Sequence, residues 1–185
     1  MTNRFDGVMS RRGLIGSVIF GSVLLPFGAR SAVIAPRTAL RELAFENLHT
    51  GEHLKLPYFV DGRYETDTLR KIDWILRDHR TGEAAQIDRR LLDLLHNLVT
   101  ALNAAEPIQI ISGFRSAQTN ALLASASSGV ARKSLHMQGK AVDIRIPGVR
   151  LAVLREAAMS LRGGGVGFYP QSRFVHVDVG RVRYW

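Results

Sequence analysis

Apolar and polar residues alternate along two short stretches, 41–47 and 52–60, with a glycine at position 51 just before the second. A period of two marks a strand buried on one face, and the glycine supplies a turn. The pair therefore predicts a small hairpin, with another turn at Asp61-Gly62. The spacing then changes. Leu69, Ile72, Trp74, Ile75 and Leu76 recur at helical intervals behind Thr66 and Asp67, either of which suits an N-cap. His79 stands near the far end of that helix, where a cation is favoured. After a turn at Thr81-Gly82 a longer helix is predicted over 88–105. Leu91, Leu92, Leu95, Leu98, Val99 and Leu102 form its buried stripe, with His96 at the border.

Residues 108–111 read as a buried strand that delivers Ser112-Gly113-Phe114-Arg115 to its end, a rigid mounting for a functional side chain. A short helix over 119–126 follows. Ser127-Ser128-Gly129 then opens a flexible segment suited to gating a cleft. In 141–146, Val142, Ile144 and Ile146 share one face and Asp143 points from the other. In 174–179 three valines share one face, and Phe174, His176 and Asp178 the other. Between these strands Leu151, Leu154, Ala158 and Leu161 mark a helix that crosses the sheet and ends at Gly163-Gly164-Gly165. Residues 166–169 begin a hairpin with the His176 strand. The order predicts an α+β fold: one domain, an antiparallel sheet, helices packed on one side and the other face open. No internal repeat is present.

The first 32 residues stand apart from that domain. Arg11-Arg12, an apolar run through Val23, Leu24, Leu25 and Phe27 broken by Pro26, and small residues at Ala29, Ser31 and Ala32 describe an export signal. The run is too short and too interrupted for a membrane span. The arginine pair, followed by Leu14 and Ile15, resembles a twin-arginine signal, which exports proteins already folded. Residues 1–32 are thus expected to be the signal, cut somewhere between Ala29 and Ala35. Residues 33–39 would be a tether, and 33–185 the working domain, with no membrane span once the signal is removed. An uncleaved N-terminal anchor is the alternative.

Composition narrows the partners. The 185 residues are 46% apolar, enough for a proper core and against disorder. No cysteine is present, so the core and any metal must supply the stability. The net charge is +9, and setting aside the charged residues of the leader leaves about +6, which favours a polyanion. Nucleic acid is set aside, because the chain looks exported and its basic residues are scattered among acids.

Two segments carry the chemistry: Ser134 to Asp143 and Phe174 to Asp178. His136, Asp143 and His176 suit a divalent metal that keeps one coordination position for water, the make-up of catalytic zinc sites. A lone histidine among valines is more often structural, and one His-x6-Asp pair arises by accident. The surrounding Ser134, Gly139 and Ala141, with a second histidine on a later strand, tip the balance to a metal. His49 and His53 fit no spacing with this set and read as surface residues.

The spacing Ser-x-His-x-x-Gly-x-Ala-x-Asp resembles the zinc D-Ala-D-Ala carboxypeptidase and murein endopeptidase superfamily, peptidase family M15. The segments Ile111-Ser112-Gly113-Phe114-Arg115-Ser116, Ser128-Gly129-Val130-Ala131 and Gly164 to Pro170, with the ending Phe174 to Trp185, are similar to its YcbK-like branch. The likeness reaches back through Asn47 to Glu52 and so covers nearly the whole domain. It implies one zinc ion held by His136, Asp143 and His176. It further implies that Arg115 holds a substrate carboxylate and that Ser134 lies beside the substrate peptide. There is one departure. Many relatives carry a Glu three residues before the last histidine as general base, and here that position is Arg173, whose charge forbids the role. Asp178 is then either the base or the partner that orients His176, and both stay open.

The resemblance implies a periplasmic zinc endopeptidase that cuts peptide crosslinks between peptidoglycan stem peptides in cell-wall remodelling. Meso-diaminopimelate to meso-diaminopimelate (3-3) crosslinks are the favoured substrate. The free carboxylates of those stems suit a basic protein. Two other readings stand beside it: a zinc-containing peptidoglycan-binding or regulatory module without activity, and a carboxypeptidase that trims stem peptides.

Overall fold

The computed structural model describes residues 40–126 and 131–185. The expected signal over 1–32, the tether at 33–39 and Ser127-Ser128-Gly129 lie outside these residues. The expected hairpin forms from β1 (Arg41–Asn47) and β2 (His53–Val60), and a short β3 (Arg63–Tyr64) extends it. Two helices follow, α1 (Thr66–Ile75) and α2 (Arg89–Ala101), then β4 (Ile108–Ser112) and α3 (Ala117–Ala126). A 3-10 turn (Leu135–Gln138) leads into β5 (Ala141–Arg145), α4 (Leu151–Leu161), β6 (Gly165–Tyr169), β7 (Phe174–Asp178) and β8 (Arg183–Tyr184).

The eight strands make one sheet in the order β3-β2-β1-β4-β5-β7-β6-β8. It is mixed, which corrects the expectation of a purely antiparallel sheet. Strand β1 pairs with β4 in parallel, and so does β6 with β8. The reason lies in the connections. The hairpin and two helices between β1 and β4 carry the chain back to the end where β1 began, and such a crossover is what a parallel pair requires.

The sheet's inner face carries Leu43, Phe45, Tyr58, Ile108, Ile110, Val142, Ile144, Val166, Val175 and Val177. These join Ile72 and Ile75 of α1, four leucines of α2, and Leu154 and Ala158 of α4 in one buried cluster. Truncating a fully buried member such as Leu95 to Ala would cost about 2–5 kcal/mol, through lost burial and the cavity left behind. Helix α3 contributes nothing to this cluster. Asp93 of α2 ties the hairpin down. It accepts hydrogen bonds from Arg41 (2.6 Å), Tyr58 (2.9 Å) and Tyr64 (2.7 Å).

Some local expectations need correction. Glu65, not Thr66 or Asp67, precedes α1, and it makes no side-chain cap. Trp74 sits on the outer side of α1, 54% exposed. Helix α2 is capped by Asp88, which accepts from the Arg90 amide, but it stops at Ala101 because Asn103 turns left-handed with φ 46°. No helix among the described residues is long and apolar enough to cross a membrane.

One buried carboxylate joins two loops that matter later. Asp78 follows α1, is 2% exposed, and accepts from the amides of Arg80 (3.0 Å) and Ser116 (2.9 Å). Burial alone would raise its pKa, but donors at Thr119, Ser116 and Arg80 outweigh that and hold it below the ordinary 3.8. A depressed carboxylate stabilises the fold above its unfolded pKa, and that stabilisation is lost as pH falls through and below about 4. Asp78→Asn should therefore lower stability at pH 7 by about 1.5–3 kcal/mol, with the difference from wild type shrinking towards zero as pH drops below 4. Urea melts of both proteins across pH 2.5–7 measure this (range chosen around the carboxylate pKa). A constant difference would remove Asp78 from the acid response.

Candidate metal centre

Strand pairing assembles the site. Asp143 on β5 lies directly opposite His176 on β7, and on β5's other side Ser112 of β4 pairs with Asp143 across a register shift. Residues directly opposite on neighbouring antiparallel strands share a face, so Ser112, Asp143 and His176 form a row on the side of the sheet away from the apolar core. His136 reaches this row from the 3-10 turn. The Ser134 hydroxyl accepts from the His136 amide (3.3 Å) at the start of that turn, and Gly139 ends it in the left-handed region at φ 64°. Glycine is required at 139 twice over: for that φ, and because a Cβ would collide with the Gln86 carbonyl oxygen.

The three polar groups converge. His136 Nε2 is 3.2 Å from His176 Nδ1 and 3.3 Å from Asp143 Oδ1, and His176 Nδ1 is 2.8 Å from the same oxygen. All three residues are buried. The outer ring nitrogens have their own partners. His136 Nδ1 is 2.7 Å from the Gly113 carbonyl, to which it donates, and His176 Nε2 is 3.1 Å from Asp178 Oδ2. With N–H groups assigned to those outer nitrogens, two lone pairs and a carboxylate oxygen point into one small space. Three acceptors at such separations repel one another unless a cation lies among them. The nitrogen, nitrogen and oxygen donor set, with carbonyl and carboxylate partners behind the imidazoles, fits a zinc site.

A proton is the other cation the space could take. Burial alone would lower the His176 pKa, but Asp143 on one ring nitrogen and Asp178 on the other outweigh it and push it up to about 8. Asp143 is held well below the carboxylate range. Burial opposes this, and the two histidines prevail.

Asp178 is fully buried, and its oxygens are taken. Besides His176 it accepts from Arg183 (3.1 and 2.7 Å) and from the amides of Gly165 (3.0 Å) and Gly180 (2.8 Å). It meets the His176 nitrogen that points away from the convergence point. Arg115 donates to Ser112 Oγ (3.2 Å) and to Asp143 Oδ2 (3.4 Å), leaving its buried Nε without a partner. Ser134, besides capping the turn, lines the cleft. That cleft, about 550 Å³, is walled by His136, Asp143, His176, Arg115, Tyr169 and Trp185, with Arg80, Lys133 and Arg183 adding positive charge.

The structure thus brings His136, Asp143, His176, Arg115 and Ser134 to one cleft, with Asp178 behind it. His53 and His96 stand away from the site. His49 lines the cleft, where it donates to the Ile111 carbonyl (2.9 Å) and stacks on His79 at 3.7 Å between ring centroids, but it is not part of the converging group. The Gly113 carbonyl, Arg183 and Trp185 were not anticipated as parts of the site. The clue was the run from Asp178 to Trp185, which puts an arginine and a tryptophan within seven residues of an inward-facing acid.

A mixed sheet with α1, α2 and α4 against its apolar face and a buried His-Asp-His group in a cleft on the other suits a hydrolytic enzyme. Comparison with known proteins gives the particular family. Residues 35–185 match the family described as peptidoglycan L,D-endopeptidase MepK. The chain is 42% identical to the peptidoglycan L,D-endopeptidase MepK of Escherichia coli K12 over 99% of its own length and 100% of that protein's. A protein of the same name from Shigella flexneri matches equally. The probable peptidoglycan L,D-endopeptidase MepK of Haemophilus influenzae is 40% identical over 92% of this chain and 91% of its own. The chain belongs to the MepK-like branch of peptidase family M15, and it is a peptidase.

The geometry around Asp178 generates a prediction. Asp178→Asn would break a buried ion pair with Arg183 and disturb the acceptor for His176 Nε2, so it should cost about 3–5 kcal/mol. In nitrogen NMR of the metal-free protein, His176 should lose its preference for a proton on Nε2. Unchanged stability and an unchanged His176 spectrum would show that Asp178 does not set that ring.

Proposed function

We propose that this chain is a zinc-dependent endopeptidase that hydrolyses peptide crosslinks in peptidoglycan, acting in the periplasm after export by the signal in residues 1–32. Meso-diaminopimelate to meso-diaminopimelate (3-3) crosslinks are its favoured substrate. The observation that carries this reading is the convergence of three buried acceptor atoms at the floor of a positively charged cleft. The names of the relatives support the polymer, and the cationic lining suits stem peptides that bear free carboxylates. Fractionating cells that express the full chain would test the compartment, and a solely cytoplasmic product would defeat that part.

His136, Asp143 and His176 would hold the zinc. Bound there, zinc would polarise a scissile carbonyl and bring the pKa of a water at its open position to about 7. The chain's own groups do the rest. The Gly113 carbonyl and Asp178 fix the two imidazoles, so that their inner nitrogens are aimed at one point, where a metal would displace the proton that His176 holds there. Of the two roles open to Asp178, its burial and full set of partners favour orienting His176 over taking a proton in the cleft. Arg115 lies against Asp143, and its planar fork would turn to a substrate carboxylate, which a single ammonium would match less well. Ser134 holds the turn that carries His136 and lies in the wall where the peptide would run.

Metal loading should release the proton that His176 retains below about pH 8, so zinc affinity should fall as pH drops below that value. The purified mature protein should retain one zinc per chain by elemental analysis, and His136→Ala or Asp143→Ala should abolish it. Stoichiometric zinc in the doubly substituted protein would refute the ligand set. Digestion of defined crosslinked muropeptides, followed by mass spectrometry, tests the reaction. The zinc-loaded protein should convert 3-3 crosslinked dimers to monomers. Arg115→Lys should be slower by about ten- to a hundredfold, the loss of one charge-assisted contact. Release of only terminal residues from monomeric stems would instead mark a carboxypeptidase.

A further inference from the structure

The row Ser112, Asp143, His176 extends one strand further, to Gly167 of β6, which lies directly opposite His176. That last place holds no side chain, and the Trp185 indole fills it. A Cβ on Gly167 would stand 2.7 Å from the ring. The indole centroid is 5.3 Å from that of the His176 imidazole.

The indole is held from several directions. Trp185 N donates to the Val166 carbonyl (3.2 Å), and its own carbonyl accepts from the Phe168 amide (2.9 Å). The indole N–H donates to Tyr169 Oη (2.8 Å), and the Arg183 guanidinium lies 4.8 Å from the ring centroid. Arg183 is bound to Asp178, and Asp178 to His176, so Trp185, Arg183, Asp178 and His176 itself form a closed ring of contacts. Yet Trp185 is 47% exposed, has no part in the apolar core, and lines the metal cleft. An aromatic ring fixed this firmly while half of it meets water is poorly explained by packing, since burial is what normally offsets the cost of ordering a large side chain.

We propose that Trp185 is a positioning residue for substrate, a platform for the aliphatic chain of the diamino acid beside the scissile bond. The assignment rests on the peptidase reading of the cleft. Diaminopimelate joined through its distal nitrogen presents a methylene run between two carbons that each bear a carboxyl group, and the distal one also carries the amide nitrogen. Methylene groups pack on the apolar ring, and the amide plane can stack on it. Arg115, Arg80 and Lys133 on the same cleft supply positive charge for the free carboxylates of that residue. The indole would then select for the long side chain and hold its amide beside the metal ligands.

Two measurements on the full mature chain test this. In steady-state cleavage of a crosslinked muropeptide, Trp185→Ala should raise KM about tenfold, the size expected for one aromatic packing contact. It should leave kcat within about threefold, and zinc content and melting temperature unchanged. Trp185→Phe should recover most of the loss. A wild-type KM in Trp185→Ala would overturn the proposal. So would a joint fall in zinc content and activity, which would make the ring a support for His176 alone. The second measurement needs no turnover. The chain has two tryptophans, so Trp74→Phe leaves Trp185 as the sole indole reporter. Its emission should shift saturably on titration with a tetrapeptide carrying diaminopimelate, and stay flat with the same peptide carrying alanine at that place. Equal responses, or none, would overturn the platform. A Trp74→Phe protein that binds in this assay but cleaves no crosslink would count against the proposed reaction and not against Trp185.

Discussion

Two imidazole nitrogens and a carboxylate oxygen, all acceptors, are pressed to about 3 Å of one another in a place with little access to water. Left alone they repel, and nothing in the apolar core compensates for that locally. The surroundings bear this strain. The Gly113 carbonyl and Asp178 lock the outer nitrogens, Arg115 leans on the far oxygen of Asp143, and sheet pairing holds the two strands in register. Buried groups of like polarity persist only when their environment over-determines them, and a cation is what relieves them.

That constraint explains details which look unrelated along the chain. The register shift in β4 brings Ser112 level with Asp143, and the displaced carbonyl of Ile111 is met by His49. The Gly113 peptide is drawn against the end of α1, where the Phe114 amide donates to the Leu76 carbonyl at 2.7 Å. Asp78, two residues further along, fastens both its own loop and Ser116. The helices on the inner face thus do more than cover the sheet. They set the height of the loop that carries Arg115 and the carbonyl facing His136.

Much of this was legible in the sequence because periodicity reports burial directly. Valines on alternate positions of 174–179 identified the face from which His176 points, and the leucines of 88–105 marked the helix that covers the core. The three converging residues could be named from type and spacing alone. What periodicity could not report was strand order. The parallel pairing of β1 with β4 depends on where two helices deposit the chain, and no local pattern in Ile108 to Ser112 encodes its neighbour. The surroundings of Asp178, which weigh between its two open roles, were hidden for a related reason. Two residues along a strand place it on the same face as His176, but only the three-dimensional arrangement shows Arg183 and two backbone amides closing around it. Trp74 misled because apolar character alone does not say which side of a helix faces in.

The distances along the chain have a last consequence, for timing. His136 and Asp143 are close in sequence, but His176 follows Asp143 by 33 residues, and the Gly113 carbonyl and Arg115 that steady the set come from a further segment. Contacts between distant segments form late, because the entropy of closing the loops must be met first. An unfolded or half-made chain therefore offers scattered single donors that compete weakly for divalent ions, and strong capture at the proposed site would begin only when the sheet is complete. Metal uptake at the proposed site would in that sense be a certificate of folding, issued by the geometry of the strands.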